Sequence, residues 1–340
     1  MPILDSEIVW RPAALVSDAT PAQNGGRMAS SLLVSGVKNN LFPDVSQSER
    51  GAGSVTWRKA FIHLHSAQDA ALLNVRLFLD APTPAGDFVL FQIGTATDTQ
   101  DQIAGRPDLR QFGLGTLFAP LSGGASQIQV VCEHNAEYAS LQPFRVGDLV
   151  RVADRPSTGG AGNEEWVTLT GVAYGPDYAT LDFTPALANA YGTQATVVSA
   201  VYQHASVAGA WSNLALTSAA GSFDSATVGN LVAHNKGAVE ESWTLTFTSA
   251  SAFTVSGTTV GALPAIGSIS ADYAPQNPAT GTPYFTLKAA AWSGTFQVND
   301  QMRFDTHPAA IPVWYRRQVP AGTSSLANDV ASLAIHGESA

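Results

Sequence analysis

The chain has 340 residues, 27 of them acidic and 17 basic, for a net charge of −10 at pH 7 with histidine neutral. Charged residues make up 13% of it, about half the ~25% of an average soluble protein, yet 45% is hydrophobic and the mean hydropathy is +0.06. This excludes a disordered polyelectrolyte; a pI near 5.0, with lysine only at Lys38, Lys59, Lys236 and Lys288, excludes a general nucleic-acid binder; and a single cysteine, Cys132, excludes an internal disulfide or a multi-cysteine zinc site.

In chain order, residues 1–34 are expected to be an irregular N-terminal arm, with NGGRM (Asn24 to Met28) a turn or a flexible stretch. MPILDSEIVW lacks a basic region followed by a long apolar one, so no secretory signal is expected and the protein is expected to be made in the cytoplasm. No apolar run reaches the ~18–20 residues of a membrane span. From Trp57 to His65, then Leu73 to Asp80, apolar and polar residues alternate with period 2, and Phe88 to Ile93 follows a Pro/Gly break. These predict an Ig-like β-sandwich over residues 35–112. Short β runs at Gln127 to Cys132, Phe144 to Val152, Trp166 to Val172, Tyr178 to Leu187 and Thr193 to Tyr202 predict a small β-barrel over 113–204. Ser242 to Ser249, Ala252 to Val260, Tyr284 to Leu287, Thr295 to Phe304 and Val330 to Ile335 predict a C-terminal β-sandwich over 205–340. The fold class expected is mainly β: multi-domain β-sandwich modules with a small barrel between them. Short helices are expected only near Gln68 to Leu72 and Leu326 to Leu333.

One nine-residue pattern occurs twice. FRVGDLVRV (Phe144 to Val152) and FQVNDQMRF (Phe296 to Phe304) share F-x-V-[GN]-D-x-apolar-R-apolar. Gly147 and Asn299 both tolerate positive φ, and Asp148 and Asp300 can hold local amides at a bend. A shared β-bend is expected at both places.

Each candidate for chemistry has a plainer alternative. His63 and His65 point to one strand face and could hold a metal if a third ligand joined them; otherwise they are surface or interface histidines. Cys132, Glu133 and His134 place a thiol and an imidazole together, but a small buried cysteine explains Cys132 as well. Glu164–Glu165 and Glu240–Glu241 are adjacent doublets, whose side chains alternate across a strand and so cannot form an acid pair alone. Asp98 and Asp101 could bind Ca²⁺ without matching an EF-hand, and a turn serves them equally. Gly159 to Gly162 leads into no helix that could hold phosphate. No G-x-S-x-G or H-E-x-x-H pattern occurs. Tyr284, Phe285, Trp292, Phe296, Trp314 and Tyr315 could stack on sugars, or form a core or an interface. No catalytic, cofactor-binding or metal-ligating residue is assigned, no cofactor is expected, and no enzyme is expected.

Four stretches together resemble virion structural proteins of tailed bacteriophages and prophages. They are NGGRM with SGVKNNLFPDVSQSERGAGSVTWRKAFIH; the strand pair ending in LDAPTPAGD; FRVGDLVRV with NEEWVTLTGV; and NPATGTPYFTL with WSGTFQVNDQMRFDTHPAAIPVW and VPAG. The resemblance implies a non-enzymatic tail-tube or tail-tip/baseplate subunit located in the virion. Its expected partners are copies of itself in a ring or tube and other tail proteins, with no nucleic-acid specificity and no membrane span. A capsid decoration or head-fibre protein, or an adhesin that binds a host surface polysaccharide, are the alternatives.

Overall fold

The computed structural model describes residues 2–103, 109–133, 142–327 and 329–340. The protein is mainly β, and the strand pairings among the described residues are antiparallel. The first strands are β1 (Ile8–Leu15), β2 (Gly25–Met28), β3 (Ser54–Leu64), β4 (Leu72–Ala81) and β5 (Phe88–Ile93). Then come β6 (Leu114–Leu117), β7 (Gln127–Cys132), β8 (Leu149–Ala153), β9 (Glu164–Tyr174), β10 (Ala179–Thr184) and the long β11 (Val197–Val207). An inserted unit contributes β12 (Ala210–Thr217), β13 (Glu241–Phe247), β14 (Ala252–Gly257) and β15 (Gln301–His307), with short ribbons between them. The chain then returns through β16 (Ala310–Val319) and β17 (Ser332–Ser339).

Two sheets form a sandwich. One has the order β2-β1-β3-β16-β5; the other is β17-β4-β11. Alternation explains which faces meet. Ala60, Ile62 and Leu64 of β3 and Val313 of β16 pack in one core with Val75, Leu77 and Leu79 of β4, each at most 3% exposed. β11 bridges to the barrel. Its first half pairs β8, from Val197↔Ala153 to Val201↔Leu149, and its second half pairs β4, from Tyr202↔Leu77 to Val207↔Leu72. The order β11-β6-β7-β10-β9-β8 closes back on β11 and makes a six-stranded barrel. Along β10, Ala179, Leu181 and Phe183 face inward and Asp182 and Thr184 outward. Full closure leaves the barrel without an open strand edge. Barrel and sandwich share one hydrophobic core; the inserted unit has its own, built on Trp243, Phe247, Phe253, Phe285 and Phe304.

The expected boundaries need correction. Residues 1–34 are not an irregular arm, because β1 pairs β3 from Ile8↔Leu64 to Pro12↔Ala60 and β2 covers its other side. Residues 205–340 are not one sandwich. β16 pairs β3 over ten residues, from Ala310↔His63 to Val319↔Ser54, and β17 pairs β4. The sandwich is therefore built from 8–93, half of β11 and 310–339, and the unit at 210–307 is inserted into it. The helices also fall elsewhere, at α1 (Gln47–Ala52) and α2 (Gln100–Ile103). Ser46 caps α1 by accepting from Glu49 N at 3.2 Å, while the Glu49 carboxylate accepts from Ser46 N at 2.7 Å. That Ser-x-x-Glu box is the local signal that starts the helix.

The repeated nonapeptide folds the same way twice. Gly147 has φ +91° and Asn299 φ +74°. Asp148 N donates to Arg145 O and Asp300 N to Gln297 O, both at 3.1 Å. Each aspartate then caps its turn, accepting from Arg145 N at 2.6 Å and from Gln297 N at 3.0 Å. Gly147 N and Asn299 N donate onward to Leu169 O and Phe247 O of the neighbouring strand. In both copies the leading phenylalanine, Phe144 or Phe296, is buried, and the valine at the turn, Val146 or Val298, is exposed.

Candidate functional site

The outer face of β3 sets the site. Trp57, Lys59, Phe61 and His63 point away from the sandwich core, yet all are buried. The segment after β5 and α2 covers one end of that face, and the inserted unit covers the other. Lys59 Nζ lies 2.6 Å from Asp98 Oδ1 and donates to Gly26 O at 2.7 Å. Burial lowers the Lys59 pKa, and the Asp98 carboxylate opposes that shift.

At the other end the inserted unit docks through histidine and asparagine. His63 Nε2 meets Asn235 O at 2.9 Å, and Arg11 Nε donates to His63 Nδ1 at 3.0 Å. With Nδ1 accepting, the ring is neutral and Nε2 carries its proton. Burial, with Arg11 and His65 nearby, pushes its pKa down from 6.5 to about 4. Asn235 is fully committed: its Nδ2 donates to Gln68 O and Ala70 O, its Oδ1 accepts from Gly209 N, and its N donates to Asp69 Oδ1. His234 pairs with Asp69 at 2.8 Å.

A cleft of about 220 Å³ opens beside this joint. The sandwich contributes Arg11 from β1, Arg27 from β2 and Phe61 and His63 from β3; the inserted unit contributes Lys236, Glu240 and Tyr284 among others. Arg11 and Phe61 are cross-strand partners, which is why both reach the same wall. Arg27 Nη1 and Thr280 Oγ1 line the cleft and are buried without a hydrogen-bond partner.

The residues flagged from sequence are placed as follows. His63 and His65 do share a face, with ring centroids 5.3 Å apart, but both Nδ1 atoms face the Arg11 guanidinium, at 3.0 and 3.3 Å. No group of three or more metal-ligating side chains occurs among the described residues. Cys132 packs against the sandwich–barrel core, and burial pushes its thiol up to about 12; its expected neighbour His134 lies outside the described residues. Glu164 binds Arg151 and Arg155, while Glu165 turns the other way to accept from Ala188 N, Asn189 N and Tyr191 Oη. Glu240 faces His307, and Glu241 accepts from Ser242, Thr259 and Val260 amides. Asp98 holds Lys59, and Asp101 accepts from Thr99 Oγ1. Gly159 to Gly162 form an exposed loop between β8 and β9. The aromatic residues are core: Phe285 and Trp314 are 0% exposed, Phe296 2%, Tyr284 and Tyr315 5%, and Trp292 8%. No sugar platform can be formed by rings so deeply packed. Arg11 and Lys236 lie in no motif and Arg27 only in NGGRM, which reads as a turn; the three meet only through folding.

Two surface features stand out. Six large apolar side chains between residues 4 and 37 are exposed: Leu4, Leu15, Val16, Leu32, Val34 and Val37. The strand β12, AWSNLALT, has no charged residue and pairs on one side only, with β15. No helix among the described residues is long and apolar enough to cross a membrane. Comparison with family models, curated proteins and solved structures finds no match.

Proposed function

We propose that this chain is a structural subunit of a tailed-bacteriophage particle, most simply of the tail tube or tail tip, that works by assembling with copies of itself. The observation that carries the reading is the gathering of six exposed apolar side chains in the first 37 residues. Single exposed apolar residues are ordinary on protein surfaces, but six within one 34-residue stretch are a surplus that an interaction would cover. The uncharged edge β12 adds a second surface, since natural sheet edges are usually guarded by charge or covered. A chain with half the usual charge suits faces that neighbours occupy. The resemblance of four stretches to phage structural proteins supplies the setting.

An adhesin acting through Tyr284, Trp292 and Phe296 is not favoured, because those rings are buried. Capsid decoration fits the same surfaces, and position in the particle separates it from a tail role. Cryo-EM of the assembled phage tests this directly. Density for the chain in a symmetric tail ring is the expected result. Absence of the chain from purified particles by mass spectrometry would refute the proposal.

A further inference from the structure

We infer that the cleft between the sandwich and the inserted unit is a binding site for a small organic anion, a carboxylate- or phosphate-bearing group attached to a body about the size of one sugar ring. The charge balance of the cleft points to an anion. Seven cations elsewhere, Lys38, Arg58, Lys59, Arg110, Arg151, Arg155 and Lys288, each pair with a carboxylate, while the cleft gathers three that do not. Among the described residues no carboxylate pairs with Arg11, Arg27 or Lys236, although the chain as a whole is at −10. All three line this cleft, against one carboxylate, Glu240, which faces His307 at 3.0 Å. Arg11 donates only to neutral acceptors, His63 Nδ1, His65 Nδ1 and Ser30 O. The Arg11 and Lys236 charges, after burial, hold the His65 pKa down, so the local field is positive.

Hydrogen-bonding capacity at the cleft wall is also unspent. Arg27 Nη1 and Thr280 Oγ1 are buried and unpartnered at the cleft wall, from opposite sides of the joint. A buried donor without a partner is unfavourable, and a bound oxyanion would satisfy both groups. A guanidinium fits carboxylate and phosphate alike through two parallel N–H donors. Size limits the ligand. A cleft of about 220 Å³ holds the volume of roughly seven waters at ~30 Å³ each, too little for a drug-sized ligand and enough for one sugar ring. Phe61, Met28, Val239, Val260 and Tyr284 supply an apolar wall for the body of the ligand. Since the cleft is walled by both units, occupancy would tighten their joint. None of this depends on the assembly reading.

Titration calorimetry and thermal denaturation of the full chain test the site, with glucuronate as the carboxylate probe, glucose 6-phosphate as the phosphate probe and glucose as the neutral control. Either anion, or both, binding at one site per chain with a raised Tm is the expected result, and which one binds identifies the group. Affinity should drop about tenfold, the loss of one charged hydrogen bond, in Arg27→Gln and separately in Lys236→Gln. Both side chains lie outside the joint's hydrogen bonds, so both variants should fold, and an unchanged Tm without ligand checks that. The inference is overturned if neither anion binds at about 10 mM, if glucose binds as tightly as the anions, or if both variants bind like the wild type.

Discussion

His63 shows how one buried side chain ties stability to pH. Its ring is neutral, 2% exposed, and held between an arginine donor and a backbone carbonyl. Below pH 6.5 the unfolded chain takes up a proton that the folded chain refuses down to about pH 4. The resulting stability is full above pH 6.5 and falls, by up to roughly 3 kcal/mol, as the pH drops towards 4. Urea denaturation at pH 7.5 and 4.5 should show a shallower loss in His63→Gln than in the wild type. Asp87 has the opposite sign. Burial, then the neighbouring Asp329 carboxylate, raises its pKa from 3.8 to about 6, and its Oδ1 has no hydrogen-bond partner. Its stability is full below pH 3.8 and is lost as the pH rises through 6. Asp87→Asn should therefore be about 1–3 kcal/mol more stable than the wild type at pH 8 and converge with it at pH 3.5. Neither behaviour was legible beforehand. That His63 and His65 share a face follows from strand alternation, but the arginine between them comes from a strand 52 residues away.

At the level of elements, the repeated turn is the part most plainly written in the chain. A residue tolerant of positive φ followed by aspartate encodes the same hydrogen bonds at 145–148 and 297–300 because every interaction in the turn is local. Gly147→Val should cost about 1–3 kcal/mol, since a β-branched residue is strained at φ +91°. Asn299→Gly should be neutral or slightly stabilising. Thermal melts of the two variants distinguish the expectations. Most barrel strands were also legible, β10 most plainly because it alternates cleanly, whereas β6 was not, since its partner β11 lies some 80 residues away. β1 was hidden by Pro12 and a short apolar run, and β2 by the glycines of NGGRM, which read as a turn. The edge strand β12 carries its own prediction. Ala215 is exposed and lies opposite Arg303. Ala215→Glu places a charge on the edge that the fold accommodates, and it should weaken self-association in light scattering with little change in Tm.

For the molecule as a whole, the main surprise is that the sandwich is interrupted twice. The barrel is inserted after β5, and the unit at 210–307 is inserted after β11, before β16 returns to β3. Alternation tells which face of a strand is buried but not which strand lies beside it, so a partner some 250 residues away in sequence could not be read from local pattern. The cleft was illegible for the same reason: its cations come from β1, β2 and the inserted unit, and only the returned chain brings them together. What the sequence did foreshadow is the scarcity of charge, and in the fold β12 is an edge strand without a charged residue. Sedimentation velocity of the purified full chain over a wide concentration range tests self-assembly most directly. A discrete, symmetric oligomer that dissociates in Ala215→Glu or on replacement of Leu32 and Val34 by serine is the predicted result. A chain that stays strictly monomeric at the highest concentration reached would contradict it.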